Sequence, residues 1–290
     1  MNAKDYKWLI PSVLTSQYTE KNIWDKDHEN YSENIFSLTQ DFEVCKALIH
    51  PSSQFPVFNI PDSPEIKVLI PGCGSEIYLQ KALFEFCPNI GQVCCTDFSD
   101  TAIDVATKKW KQADGETKLN SQIFFETVDS TQLTQEKPDW VEKFDYILVV
   151  NSVVSGEDAI NRQMLKEFYN VLKPRGKIYG FFPTIFTGLE IAYLYSSKAS
   201  WLTDGSINLP DSAYYDKERN DRQIQYTPLR LNQIFKEIGF KKLSFEICFS
   251  ESDILMDNFK KTANIDDSDI CVWEFLVRLE KKISSSLVDS

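Results

Sequence analysis

The chain has 290 residues, of which 42% are hydrophobic, and it carries a formal net charge of −12 at pH 7. This length and apolar content can bury a full core, as one large domain or as a domain with an elaborated cap. The acidic balance argues against sequence-independent binding of nucleic acid, which needs Lys and Arg against phosphates, and against binding to an anionic membrane surface. We therefore expect a globular protein with neither nucleic acid nor membrane as a partner.

The cysteines and histidines argue against disulfides and against a metal site. The seven cysteines include no Cys-x-x-Cys spacing, and the adjacent Cys94 and Cys95 lie in an apolar run, where strand side chains point to opposite faces. Neither His28 nor His50 is spaced with a cysteine pair as zinc ligands are, so no metal is predicted. No signal peptide and no apolar run of membrane-spanning length is visible. We therefore expect a cytoplasmic protein with reduced cysteines.

Residues 1–65 are predicted to form an N-terminal helical extension that acts as a lid. The segment is polar with scattered aromatic residues, and it ends in a link punctuated by prolines. Residues 39–49 have apolar side chains at helical spacing. Two of the aromatic residues, Tyr18 and Trp24, are assigned to substrate contact. A helix packed on the edge of the core would use such residues equally well.

The stretch from residue 66 to residue 97 organises the chain. It contains a short apolar run, a turn with Gly72 and Gly74, a helical pattern, and a second apolar run that ends in Asp97, which predicts strand, turn, helix and strand. Glycine allows the backbone to bend sharply and to lie close to a ligand. The acid lies 97 − 74 = 23 residues beyond the second glycine, a spacing at which a carboxylate closing the second strand can bind a ribose. The stretch predicts a nucleoside site.

This stretch resembles motif I and the following acidic strand end of the class I S-adenosylmethionine (SAM)-dependent methyltransferases. It departs from the family pattern at Ile70, where an acid is usual, and at Glu76, where a third glycine is frequent. The charge of Glu76 and the missing glycine also disfavour a dinucleotide, whose pyrophosphate that acid would repel. The resemblance implies SAM as cofactor and S-adenosylhomocysteine as product. The cofactor contacts it implies in this stretch are Pro71, Gly72, Cys73, Gly74, Asp97 and Phe98.

Two further strand ends extend the resemblance. A predicted third strand ends at Asp129 and Ser130, where the family binds the adenine amino group. The continuous apolar run 144–150 predicts a buried fourth strand, followed by Asn151 and Ser152 at the edge where open α/β sheets bind ligands. Family members that methylate nucleic-acid amino groups carry Asp/Asn-Pro-Pro-Tyr/Phe here, and this chain does not. We assign these four residues to cofactor binding and find no indication of base methylation.

The next segment resembles the helix, turn and strand that follow motif IV in the family. The helix is expected over residues 159–172 and the turn at residues 173–176. From 183 to 225 the pattern breaks into a segment rich in Tyr, Trp and Ser, which we interpret as an inserted substrate cap. Trp201 and Tyr214 of this cap are assigned to substrate contact.

The remaining chain is expected to complete the core sheet. Residues 66–182 form the SAM-binding Rossmann-like core, residues 226–282 its C-terminal part, and residues 283–290 a disordered tail. The C-terminal part should contain a helix from Thr227 to Ile238, a strand over 242–249, a short helix from about Glu251 and a strand over 272–279. The expected fold class is α/β: a seven-stranded Rossmann-like methyltransferase sheet with helices on both faces, and the family implies the strand order 3-2-1-4-5-7-6.

Methyl transfer requires little from the protein beyond a sulfonium and a nucleophile held in line, because the cofactor carries the reactive carbon. Consistent with this, the sequence shows no Ser-His-Asp pattern and no paired carboxylates. The residues that could orient the acceptor or receive its proton are His28, Tyr31, Asn151 and Tyr226, although a lone histidine in a polar stretch is usually a surface residue.

Three functions fit these observations. Methylation of a small-molecule acceptor at nitrogen or oxygen is favoured, because the aromatic cap can form an apolar pocket and the acidic surface suits a neutral or amine substrate. A protein lysine methyltransferase is the alternative, since a negative surface attracts a basic partner protein. The third is a SAM-binding protein without turnover.

Overall fold

The computed structural model describes residues 21–29, 38–114, 122–217, 220–250 and 272–283. Its centre is a seven-stranded sheet, and a separate small sheet has three strands. In chain order the strands are β1 (Lys67–Pro71), β2 (Gln92–Asp97), β3 (Ile123–Thr127), β4 (Phe144–Val150), β5 (Leu172–Pro183), β6 (Ile207–Asn208), β7 (Ala213–Asp216), β8 (Asp221–Ile224), β9 (Phe240–Ser250) and β10 (Val272–Lys281).

The large sheet has the order β3-β2-β1-β4-β5-β10-β9. The first five strands of the chain pair in parallel, while β10 is antiparallel to both of its neighbours, β5 and β9. Counted within this sheet alone, the order is 3-2-1-4-5-7-6. The predicted fold class and strand order are therefore confirmed.

Helices connect these strands, as parallel pairing requires. They are α1 (Lys21–Glu29), α2 (Phe42–Ile49), α3 (Tyr78–Phe86), α4 (Asp100–Asp114), α5 (Leu133–Glu136), α6 (Asp158–Val171), α7 (Ile185–Leu194) and α8 (Pro228–Ile238), with 3-10 turns at Leu38–Gln40, Pro56–Phe58, Pro138–Trp140 and Ser196–Leu202. Within the described ranges, no helix is both long enough and apolar enough to cross a membrane.

The core lies on both faces of the large sheet. Val68 and Ile70 of β1 belong to one buried cluster, and Leu69 between them belongs to the other. In β4, Leu148 joins the first cluster and Ile147 the second. Successive strand residues point to opposite faces, so two covered faces explain why these strands read as continuous apolar runs.

The structure corrects the turn predicted at residues 173–176, which belong to β5. That strand already begins at Leu172, which pairs with Phe144 of β4. The register between the two strands shifts between Phe144 and Tyr146, and Arg175 has a φ of 65°. The bend is therefore absorbed as an irregularity within the strand, because pairing with β4 continues on both sides of it.

The insert over residues 183–225 contains α7 and the small sheet β6-β7-β8. Its last strand packs on the loop that follows β4. The Ile224 N–H donates to the carbonyl of Ser155 at 3.4 Å, and the Arg222 guanidinium donates to the carbonyl of Gly156. The insert thus supports the loop beyond the end of β4 from outside.

Two predicted features lie outside the described residues: the short helix from about Glu251 and residues 284–290 of the serine-rich tail. The helix at Thr227 is confirmed as α8. The Thr227 hydroxyl accepts from the Arg230 N–H at 3.4 Å, and Gly239 ends the helix in the left-handed conformation, with a φ of 110°. The domain boundaries drawn from the sequence stay a prediction.

Candidate active site

The turn after β1 is packed directly against the end of β4. Gly72 and Gly74 have φ values of 60° and 63°, a conformation that favours glycine. A Cβ on Gly72 would lie 2.3 Å from the Cβ of Ser152, so no side chain fits at this position. A Cβ on Gly74 would approach only His28, at 3.4 Å. The first glycine therefore permits close packing, and the second leaves the backbone open on the side of α1.

Asp97 joins this turn to the end of β2. The carboxylate is 4% exposed and accepts the N–H of Gly74 and the N–H of Ser99, each at 3.0 Å. Burial raises the pKa of Asp97 to about 6, although these backbone N–H groups lower it in part. The Phe98 N–H also lowers this pKa through a hydrogen bond, so of the roughly four lone-pair sites of a carboxylate about one stays available to a ligand.

The two positions that depart from the family pattern are both accommodated without entering the turn. Ile70 is 2% exposed and belongs to the core below the sheet's end. The Glu76 carboxylate pairs with Lys109 of α4 at 2.8 Å. Its charge is thus neutralised by the helix that follows β2.

Asp129 follows β3 in a local turn of its own. Its Oδ1 accepts the N–H and the hydroxyl of Thr131, each at 2.8 Å. Such Asx turns fix the direction of the carboxylate. Asp129 and Ser130 face the same cavity as Asp97.

A cavity of about 560 Å³ joins these strand ends. Of the predicted cofactor residues, it is lined by Gly72, Gly74, Asp97, Phe98, Asp129, Ser130, Asn151 and Ser152. Pro71 and Cys73 are buried behind it, and the Cys73 N–H donates to the Thr96 carbonyl at 2.9 Å. Trp24 and His28, predicted for substrate contact and catalysis, also line it. The other lining residues were not predicted; they include Val154 and Ser155 after β4 and four residues of α6, Ala159, Ile160, Gln163 and Met164.

Helix α1 closes the cavity on the side of the glycine turn. His28 is 3% exposed rather than a surface residue, and its Nδ1 lies 3.2 Å from the Ser75 hydroxyl. Its ring stacks with Trp24 at a centroid distance of 5.9 Å, and both side chains line the cavity. A salt bridge between Lys21 and Asp100, at 2.6 Å, holds the start of the helix on α4.

Asn151 ends β4 in the left-handed region, with a φ of 50°, and lines the cavity. Its Nδ2 donates to Oε1 of Glu274 in β10 at 2.8 Å. Glu274 is 4% exposed, and burial raises the pKa of Glu274 to about 7, while the Asn151 hydrogen bond lowers it. Glu274 was not predicted from the sequence; the available signal was a carboxylate among the apolar residues at the start of the closing strand, 272–277.

Three other predicted site residues that the structure describes, Tyr226, Trp201 and Tyr214, are not brought to this cavity. Tyr226 is fully buried, and its hydroxyl donates to the Val153 carbonyl at 2.8 Å, so it supports the loop after β4 and does not face an acceptor. Trp201 and Tyr214 pack edge to face, 5.4 Å apart, and neither is among the described residues that line the cavity. Tyr18 and Tyr31 lie outside the described residues. Their substrate and catalytic assignments stay predictions.

Comparison with known proteins matches the middle of the chain to a family model. Residues 68–176 match the family model described as a methyltransferase domain. A comparison with curated protein sequences finds no match. Among solved structures, a SAM-dependent methyltransferase from Methanosarcina mazei aligns with a TM-score of 0.53 and 15% identity, covering 78% of this chain and 95% of that one.

A second similar structure is the 4+2 cyclase SpnF, with a TM-score of 0.52 and 14% identity, covering 85% of this chain and 81% of that one. At such identities the structural likeness shows the fold, and the two neighbours carry different reactions on it. The match of residues 68–176 to the methyltransferase model is the more specific result. Residues 68–176 therefore match a methyltransferase domain, and they have the fold of the SAM-dependent methyltransferase among these structures.

Proposed function

We propose that this protein transfers the methyl group of SAM to a small-molecule acceptor, at nitrogen or oxygen. The observation that carries the proposal is the shared cavity of about 560 Å³. It extends from the glycine turn and the strand-end acids to an apolar wall formed by Val154, Ile160 and Met164. Small-molecule sites have this size, roughly 300–1,000 Å³, and this composition, mostly apolar with a few polar groups.

The residues of the cavity fit SAM. The backbone at Gly74 leaves space for a ligand. Asp97 retains acceptor capacity for a ribose hydroxyl, and the Asp129 carboxylate can accept a hydrogen bond from an amino group. The described lining residues include no Lys or Arg, so no cation there repels a sulfonium. When bound, SAM supplies an electrophilic methyl group.

The protein's own contribution is to position the reactants and exclude water. Trp24 and His28 cover the glycine turn, while Asn151 lies at the β4 end, where an acceptor can meet the methyl group. Exclusion of water and alignment of the reacting atoms are the two requirements of an in-line transfer. His28 is the described catalytic candidate able to take up a proton, and its contact with Ser75 orients the ring.

The test is methyl transfer from labelled SAM in a cell extract that is afterwards separated into metabolites and proteins. We expect label among the metabolites. Label on protein would instead support the lysine methyltransferase alternative, which the net charge of −12 favours. SAM binding without any label would favour a protein without turnover. An Asp97→Asn variant, weakened in cofactor binding, is the control for label transferred by other enzymes of the extract.

A further inference from the structure

Glu274 is a buried carboxylate with no counter-charge among the described residues. Its only hydrogen-bond partner there is the Asn151 amide, at 2.8 Å. The facing positions of the neighbouring strands are Pro183 in β5 and Cys248 in β9, and neither is a cation. Arg278, further along the same strand, is engaged by Glu246 at 3.0 Å. Buried charges in proteins are normally paired, so the placement of Glu274 calls for an explanation.

The amide of Asn151 connects this carboxylate to the cavity. Its nitrogen faces Glu274, while Asn151 itself is one of the residues that line the cavity. A hydrogen bond to a carboxylate polarises the amide and concentrates negative charge on its oxygen. The position of Asn151 is fixed by its backbone, because the Asn151 N–H donates to the Phe181 carbonyl at 3.2 Å.

Three polar atoms at this point have no hydrogen-bond partner within the described part of the chain. They are Oδ1 of Asn151, Oγ of Ser152 and Oε2 of Glu274, and all three are shut off from solvent. Buried polar groups are nearly always paired, and isolated exceptions mark functional sites or bound molecules. All three atoms can accept a hydrogen bond. These atoms lie too deep for a ligand in the cavity to touch, so the charge of Glu274 acts on a bound group through the Asn151 side chain. A cation such as an ammonium group is the ligand that an unpaired buried carboxylate favours.

We propose that Glu274, through Asn151, is a specificity-determining residue that makes the β4 end of the cavity select a methyl acceptor carrying an amine. The inference rests on the proposed function, since it names the acceptor class of that same cavity. Burial raises the pKa of Glu274 to about 7, which a neighbouring cation lowers. An ammonium group at Asn151 therefore stabilises the ionised carboxylate, and the carboxylate in turn favours it over an alcohol. To react, the nitrogen first releases one proton to solvent, and its lone pair then forms the N–C bond as the S–C bond of SAM breaks.

The first experiment measures binding and needs no identified acceptor. S-adenosylhomocysteine and sinefungin, the SAM analogue with an amino-bearing carbon in place of the methylated sulfur, are titrated against the parent protein and Glu274→Gln. Gln keeps the size and the hydrogen-bond acceptor for Asn151 but removes the charge. We expect sinefungin to bind the variant about tenfold more weakly and S-adenosylhomocysteine to bind it as it binds the parent. Equal effects on both ligands, or no effect on either, would overturn the proposal.

Two further variants serve as controls for this comparison. Asn151→Gly removes the amide while tolerating the positive φ, and it should lose the preference for sinefungin even if Glu274→Gln folds poorly. Glu280→Gln changes another carboxylate of β10, one that pairs with Lys241 at 3.3 Å, and should leave both affinities unchanged. A loss of sinefungin preference in Glu280→Gln would assign the effect to general charge and not to Glu274.

The second experiment tests the acceptor class. Extract metabolites are divided by cation exchange at neutral pH into an amine pool and a neutral and anionic pool, and each pool is offered with labelled SAM. We expect label in the amine pool and about tenfold less of it with Glu274→Gln at saturating SAM. Label confined to the other pool would leave methyl transfer standing and overturn the role of Glu274. Label in neither pool would count against the proposed function, while the sinefungin comparison would still decide whether Glu274 selects a cation.

Discussion

SAM affinity is expected to rise as the pH rises through about 6, because the Asp97 carboxyl must be ionised to accept ribose hydroxyls. Burial raises the pKa of Asp97 to about 6 in the free protein. At pH 5 about one carboxyl in ten is then ionised, so the affinity should be about tenfold lower than at pH 8. SAM binding favours the ionised form of Asp97 and therefore lowers its raised pKa. Protons should accordingly be released on binding below pH 7.

The burial of Asp97 also makes the stability of the free protein depend on pH, in the opposite direction to the SAM affinity. Because the folded-state pKa lies above the ordinary value of 3.8, ionisation of Asp97 opposes folding, and stability is lost as the pH rises through about 6. The difference between these two values corresponds to about 3 kcal/mol. Asp97→Asn removes this cost, but its amide nitrogen faces the N–H of Gly74 or of Ser99, so at pH 8 the free variant should gain less than this amount. It should bind SAM about ten- to a hundredfold more weakly.

The assay is calorimetric titration with SAM at pH 5, 6, 7 and 8, in two buffers of different ionisation enthalpy, for the parent and Asp97→Asn. Thermal unfolding of the free proteins over the same range provides the stability comparison. A flat affinity of the parent from pH 5 to 8 would refute the reasoning. A slope that persists in Asp97→Asn would assign the titration to another group that lines the cavity.

Three further changes test the packing around the site. Gly72→Ala places a Cβ 2.3 Å from that of Ser152, so it should lower the free energy of unfolding in urea by about 1–3 kcal/mol and abolish SAM binding. Adding Ser152→Gly should partly restore stability. An unchanged free energy of unfolding would contradict the close approach. Tyr226→Phe removes a buried hydroxyl hydrogen bond and should lower the free energy of unfolding by about 1–3 kcal/mol, whereas an unchanged value would mean that the hydroxyl is solvated. A double-mutant cycle of Trp201→Ala and Tyr214→Ala should give a coupling of about 0.5–1.5 kcal/mol, and strict additivity would exclude the edge-to-face contact.

Local signals in the sequence were sufficient for the strands and turns at one edge of the site, while the strand order came from the family resemblance. The glycines at 72 and 74 predict a turn because their conformation is intrinsic to the residue type, and both have positive φ. The apolar run before Asn151 predicts a buried strand because it is covered on both faces. Strand ends in a parallel sheet lie at one edge, so Asp97 and Asp129 could be expected near each other from their positions in the chain alone.

The tertiary structure alone decided which distant residues complete the cavity. Glu274 meets Asn151 across a separation of 123 residues, because β10 returns antiparallel beside β5. His28 looked like a surface residue, yet α1 folds over the glycine turn and buries it. Side-chain composition predicted an aromatic pocket from the insert; the structure shows the Trp201 ring packed on Tyr214 and on the core, and its assignment to substrate contact stays a prediction. Residue type and local pattern set the strands and turns, but contacts between them depend on sheet register and helix docking, which no local pattern contains.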